Sequence, residues 1–429
     1  MIPKMKKNFR AFFVIPFSIL LIECLFCSML KAQDTTFHKI KISGYIQTQY
    51  QYAGRDADRC NFKLSKTANT HELNELKNFG RFGIRRGRLK FTFDDRLVQS
   101  VFLTNTTENE ISLMEADIKV KDPWIGTCSF KAGIFECPFG YEISYSSSSI
   151  ESTERARITQ TLFPDECDLG FMFTLQAPES SPWHILKFES GWFSGNGIRP
   201  QMDSHMDFVS RLSLSKKLGN DIVASGGISA YIGGVMQQDS AVFVVKNHAF
   251  VLDSKAESNI GKYAQRRYAG LDAQLRMITA SGLSILRAEY ICGVHPGNAD
   301  GAYKFKFSSL PPAEPVYVRH ISGGYVILVQ ELGKIPCSAV VKYDWYHPNT
   351  EISGNAIESK GEINMSNIGF ALLWTVNPAI RLSAYYDICK NETSGKLTDI
   401  RDTNGKITEY GYDKDRKDNV FTLRLQYKF

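Results

Sequence analysis

Past its N-terminal segment the chain has no apolar run of about 18 residues or more, so nothing in it can cross a membrane as a helix. It also lacks a Cys-x-x-Cys pair after Cys27, which removes the common zinc arrangements. No Gly-rich loop falls at a strand-to-helix junction, and no nucleophile and base share a local motif. The sequence therefore assigns no catalytic residue, no metal site and no cofactor, and an enzyme is not expected. Net charge is scarce too. The formal +6 includes Lys4, Lys6, Lys7, Arg10 and Lys31 against Glu23 in the first 33 residues, a net +4, so +2 belongs to the remainder. So small a sum makes no strong global field and gives no reason to expect a nucleic-acid partner. Any preference for anions has to come from where basic groups sit.

What is present begins with a positively charged stretch, Met1 to Arg10, then the apolar residues 11–30, then Lys31-Ala32-Gln33. That order is the order of a secretory signal peptide, expected over residues 1–33, with residues 34–429 as the exported domain. Pro16 and Glu23 weaken the stretch as a retained anchor, and Ala32 supplies the small residue at which cleavage is expected. Cys24 and Cys27 leave a lipid-anchored N-terminus as a lesser alternative, although the residues before them are not the small ones such processing prefers. Export puts Cys60, Cys128, Cys137, Cys167, Cys292, Cys337 and Cys389 in an oxidising compartment, where an odd number leaves one thiol over.

From Lys39 onward the chain alternates apolar and polar residues in short segments, about sixteen of them, the first near 40–51, the second near 84–95 and the last near 419–428. In the last, Phe421, Leu423, Leu425, Tyr427 and Phe429 alternate with Thr422, Arg424, Gln426 and Lys428. The connections alternate as well. Long ones, at 52–83, 136–167, 233–263, 292–317, 347–363 and 389–418, take turns with brief ones such as 96–97, 277–281 and 376–378, and two in the long series, 106–110 and 195–205, are shorter than their siblings. Short turns at one end, long loops at the other and an even strand count are the asymmetry of a transmembrane β-barrel, whereas a compact soluble domain seldom carries so many long loops. The expected fold is all-β: an antiparallel barrel of about sixteen strands in contact with outer-membrane lipid.

Motifs sharpen this. Arg85-Arg86-Gly87-Arg88-Leu89-Lys90-Phe91, the run from Ala132-Gly133-Ile134-Phe135-Glu136-Cys137-Pro138-Phe139-Gly140-Tyr141-Glu142, Ser146 to Ser149, Glu154-Arg155, Phe163-Pro164-Asp165 and Gly191-Trp192-Phe193-Ser194-Gly195-Asn196-Gly197 together resemble the phosphate-selective porin O and P family. The resemblance implies a sixteen-stranded barrel, usually a homotrimer, whose third outer loop, here 136–167, folds into the lumen as a constriction. It departs from the family where Glu136-Cys137 replaces the usual lysine before Pro-Phe-Gly and where Cys167 stands in place of a frequent arginine. Both changes remove positive charge near the expected constriction. The terminal Phe429 resembles the signal by which outer-membrane assembly machinery reads its clients.

The function expected is a passive diffusion channel in the bacterial outer membrane for small anionic or neutral hydrophilic solutes. The candidate selectivity residues are Arg86, Arg88 and Lys90, at period two on the second strand, with Arg155 and Arg157 in the loop and Arg211, Arg276, Lys342, Arg381 and Arg424 on lumen-facing positions. Glu289, Asp272, Asp344 and Asp387 offset them. A surface-binding protein using loops 52–83, 233–263 and 389–418 is the alternative of a different class, and a barrel enzyme lacks a motif to support it. Asp413, Asp415 and Asp418 lack the glycine and terminal glutamate of a calcium-binding loop.

Overall fold

The computed structural model describes residues 40–54, 78–201, 203–302, 313–405 and 407–429. The expected signal peptide, most of the first long connection and Cys60 lie outside them.

Sixteen long strands close into one barrel. In chain order they are β1 (Lys41–Ala53), β2 (Phe79–Asp94), β3 (Val98–Thr106), β4 (Ile111–Lys121), β5 (Cys128–Glu136) and β6 (Cys167–Gln176). There follow β7 (Leu186–Phe193), β8 (Asp207–Leu218), β9 (Ile222–Met236), β10 (Tyr263–Thr279) and β11 (Gly282–Asn298). The last five are β12 (Val316–Glu331), β13 (Cys337–His347), β14 (Met365–Asn377), β15 (Ile380–Asn391) and β16 (Val420–Lys428). Each pairs antiparallel with the next, and β16 returns to β1 in register from Ala53↔Val420 to Tyr45↔Lys428. The seam is finished by Gly44 and Phe429, which exchange backbone hydrogen bonds of 3.0 Å in both directions. A sheet closed on itself has no edge, which is how a backbone without water around it can satisfy every N–H and C=O.

Side chains follow the strand period inside out. On β16 Phe421, Leu423, Leu425 and Tyr427 are 37–48% exposed, whereas Thr422, Arg424 and Gln426 are 1–6% exposed. On β10 and β11 Leu271, Leu286 and Tyr290 face outward, while Asp272, Gln274, Arg287 and Glu289 are buried inside. In water this would be the wrong way round; an apolar exterior over a polar interior is stable only with lipid outside. Barrels of this design belong to bacterial outer membranes, and this is one of them. No helix among the described residues is long and apolar enough to cross a membrane. The connections sort as the sequence predicts: only two residues separate β10 from β11 and β14 from β15, and these turns share an end with both Lys41 and Phe429.

One long connection differs from expectation. Between β9 and β10 the chain forms a hairpin, Ala241–Lys246 with Ala249–Lys255, and Val242 and Phe243 pair with the start of β12. Its turn is made by Asn247 and His248, both at positive φ, 52° and 61°, which suits a two-residue hairpin. Outside the membrane these loops have a core of their own, built around Ile352, Ile357, Ile363 and Tyr412. Beside it Arg319 and Glu362 form an ion pair of 2.7 Å at 0% and 2% side-chain exposure.

Candidate functional site

The connection from β5 to β6 leaves the wall and runs through the lumen. Its departure is shaped by Pro138 and by Gly140, whose φ of +63° puts a would-be Cβ against the carboxylate of Glu289. Only glycine fits there without displacing that group. Phe139 then docks among Phe163 and Tyr268, at ring-centroid distances of 5.1 and 6.3 Å, with Phe163 also against Tyr231. Burying Phe139 completely contributes on the order of 2–3 kcal/mol to holding the loop inside. Farther on the loop makes one helical turn, α1 (Arg157–Leu162), and returns to β6.

Polar contacts tie the loop to strands all round the barrel. From β11, Glu289 accepts the backbone N–H of Tyr141 and Glu142 at 3.1 and 2.9 Å, and Arg287 pairs with Glu151. From β13, Lys342 donates to the carbonyl of Glu154 at 3.0 Å and reaches Glu142 at 3.4 Å, and Asp344 accepts the N–H of Arg157 at 3.3 Å. From β15, Asp387 accepts from the Thr153 hydroxyl and Arg381 donates to the carbonyl of Ile150. Glu154 is the centre of the network. Its carboxylate takes Arg85 at 2.5 Å, Arg86 at 2.9 Å and Arg424 at 3.4 Å, from β2 and β16. Burial works to raise its pKa, but Arg85 and Arg86 outweigh it and hold the carboxyl well below the usual range. A second knot closes the loop's base. Arg155 donates to Glu166 at 2.5 Å and to the carbonyls of Glu142, Ile143 and Tyr145. The carboxyl of Glu166 is likewise lowered: burial opposes this, and Arg155 and Arg88 prevail.

The ten sequence candidates thus divide. Arg86, Arg155, Lys342, Arg381 and Arg424 are spent on the inserted loop, and Arg211 forms a two-pronged pair with Asp272 at 2.5 and 2.9 Å. Arg157 begins α1. Arg88 meets Ser147 and Glu166, Lys90 meets Glu115 at 3.1 Å, and Arg276 stays exposed on the inward parity of Asp272 and Gln274. Arg85 joins the site although strict alternation turns it toward lipid. A register shift in the pairing of β1 with β2, where Gln47 meets Arg86 and Thr48 meets Ile84, frees it to turn inward. Such a bulge leaves no mark in the pattern of apolar residues.

The open space lies between the loop and the short-turn end. Two adjoining cavities of about 680 and 490 Å³ share Gln99, Lys131, Glu136 and Ser144 in their linings. The larger is lined by Lys119, Lys131, Lys187 and Arg211 against Glu136 and Glu189. The smaller adds Arg88, Lys90 and Lys428 against Glu115. Across the lumen the wall is filled instead: Ile327, Val329, Val340 and Leu373 point inward, are buried, and belong to the same apolar cluster as Ile143 and Ile158 of the loop. Both cavities therefore lie on one side of the barrel, and that side is basic. Among the described residues no cluster of His, Cys, Asp or Glu is arranged to hold a metal ion. Asp415 is engaged by Lys390 and Asn391, and Asp418 by Asn391. Cys389 is disulfide-bonded, while Cys128, Cys137, Cys167, Cys292 and Cys337 are free thiols.

Closure, an apolar exterior and a lumen narrowed by an inserted loop define the class: a sixteen-stranded outer-membrane barrel with the architecture of porins. Solved structures of the same fold include OprB of Pseudomonas putida, with a TM-score of 0.54 at 10% identity over 90% of this chain and 94% of that one. An anion-selective porin from Comamonas acidovorans superposes with a TM-score of 0.53 at 10% identity, over 91% of this chain and 99% of its own. The outer membrane channel DcaP of Acinetobacter baumannii gives 0.52 at 10% identity, over 91% and 97%. No protein-family model matches the chain, and no curated protein does. At such identities the likeness is one of fold.

Proposed function

We propose that the chain is a passive diffusion channel for small hydrophilic solutes with a preference for anions, working as a homotrimer. The observation that carries the preference is the distribution of charge inside. At the inserted loop the arginines are matched by Glu154, Glu166 and Glu151 or by carbonyls, so their fields are largely cancelled. Below it, Lys119 faces open volume with no ion pair among the described residues, Lys131 and Lys187 face it while paired with Asp117 at 3.5 Å and Glu189 at 2.6 Å, and cations outnumber carboxylates along both cavities. Basic side chains lining a narrow aqueous path replace part of an anion's hydration and repel cations. The likeness to the phosphate-selective porins adds phosphate as a solute to test, while Glu136 and Cys167 argue for a broader anion preference.

The test is electrical. Purified protein added to a planar bilayer across a KCl gradient is expected to give stepwise conductance and a reversal potential on the anion side, shifted toward zero by Lys131→Gln. A reversal potential on the cation side would overturn the preference; a bilayer without steps would overturn the channel. A second reading, binding of a partner by the outer loops, draws on their own packed core. Deleting the hairpin 241–255 would abolish binding and spare conductance if that reading held.

A further inference from the structure

The larger cavity holds more than lysines. Its roof is the loop segment that carries Tyr141 and Ser144, and Tyr145 stacks behind Tyr141 at 5.4 Å between centroids and 27° between planes. Tyr145 is fixed in turn: Arg287 sits 4.4 Å over its ring and its hydroxyl donates to Glu151 at 3.0 Å. The backbone of Tyr141 is pinned by Glu289. Half-buried Tyr141 is thus a rigid aromatic surface on the cavity. On the wall of the same cavity Lys119 and Lys131 are direct cross-strand partners, a like-charged juxtaposition that costs free energy unless an anion relieves it. Lys119 has no ion pair or hydrogen bond among the described residues, whereas Lys131 has Asp117 at 3.5 Å. The remaining lining is rich in neutral hydrogen-bonding groups, with Gln99, Thr174, Gln176, Ser213, Ser225 and Gln274 among them.

These three components call for different parts of one solute. A bare inorganic anion needs only the lysines, and an apolar acid would make no use of the hydrogen-bonding capacity that the amides and hydroxyls keep beyond their bonds within the wall, such as Ser225 to Gln274 and Gln176 to the carbonyl of His184. Resting on the anion-channel reading above, we infer that the preferred solute is an acidic sugar, a hydroxylated ring bearing one carboxylate or phosphate. Its ring stacks on Tyr141, its acid lies between Lys119 and Lys131, and its hydroxyls pair with the amide and hydroxyl groups around them. A cavity of about 680 Å³ accommodates a monosaccharide with its water.

Current block in planar bilayers tests this with glucuronate, glucose 1-phosphate, glucose and inorganic phosphate, each added from the short-turn side. Glucuronate and glucose 1-phosphate are expected to interrupt the current at concentrations at least about tenfold lower than glucose or phosphate; their ratio tells carboxylate from phosphate as the acid. Tyr141→Phe keeps the block, and Tyr141→Ala weakens it roughly three- to tenfold, the range expected for one lost stacking contact. Stepwise conductance of each variant confirms that it has assembled. Should inorganic phosphate block as well as glucuronate, or should Tyr141→Ala leave the glucuronate block unaltered in channels that still select anions, the sugar inference fails and the channel stands. Absence of conductance in the unmodified protein would remove both.

Discussion

Replacing Glu154 probes how firmly the loop is held in the lumen. The substitution takes away the carboxylate that Arg85, Arg86 and Arg424 share, at a site where Glu154 is 3% exposed and the last two arginines are 5% and 7% exposed. Removing one member of a buried ion pair costs about 3–5 kcal/mol, chiefly because the partners stay buried without compensation. Glu154→Gln keeps one acceptor and belongs at the lower end; Glu154→Ala belongs at the upper. A loss of about 3 kcal/mol lowers the docked-to-undocked ratio roughly a hundredfold for the stretch around residue 154. The aromatic knot at Phe139 and the Glu289 contacts are untouched, so the loop should loosen at its far side without leaving the lumen. Single-channel recording should show increased open-channel noise in both variants, larger for alanine, with a higher mean conductance. The pH dependence has a definite sign. The carboxyl is lowered in the folded state, so its contribution is complete above the unfolded glutamate value of about 4.3 and fades only as pH falls through the lower folded value. The noise difference between Glu154→Gln and the unmodified channel should therefore be the same at pH 5 as at pH 7. A difference that shrinks between those two values, or variants indistinguishable from the parent, would refute the reasoning.

Two further substitutions address the barrel. Leu271→Arg puts a charge on the outer face where Leu271 is 59% exposed; urea titration of folding into lipid vesicles should show a loss of about 2–4 kcal/mol if that face meets the middle of the bilayer, and none if it meets water. At the seam, Gly44→Val sets a Cβ 2.5 Å from the Arg88 carbonyl oxygen and 2.8 Å from the Phe429 ring. Folded yield and heat resistance in gel-shift assays should fall, and adding Phe429→Ala should restore part of the loss if ring contact is the cause.

How much of this was legible beforehand follows the range of the interaction. Strand parity and connection length are local, so the barrel, its even strand count and the end bearing the long loops could be read from residue patterns. The hairpin at 241–255 carries a local signal too, since Asn247-His248 sits between Val242–Val245 and Phe250–Leu252, although both apolar runs are short and lie inside what reads as one long connection. The interior is another matter. Arg86, Lys342 and Arg424 were placed on the inward face by parity alone, yet parity cannot say that each meets the loop. Arg86 and Glu154 are 68 residues apart in sequence, Lys342 and Glu154 188, and Arg424 and Thr153 271.

That distinction changes what a stripe of basic residues means. Arg86, Arg88 and Lys90 at period two look like a ladder for a passing anion, and the same spacing serves equally to grip a loop lying against the wall. The difference is set by whether a carboxylate arrives from elsewhere in the chain, and for Arg86 one does. The cations with open volume before them, Lys119, Lys131 and Lys187, are spread over β4, β5 and β7, and only Lys119 has a basic companion at period two, Lys121. In a barrel with an inserted loop, a dense basic motif therefore marks where the loop is seated, and selectivity has to be sought among the cations the loop leaves uncovered.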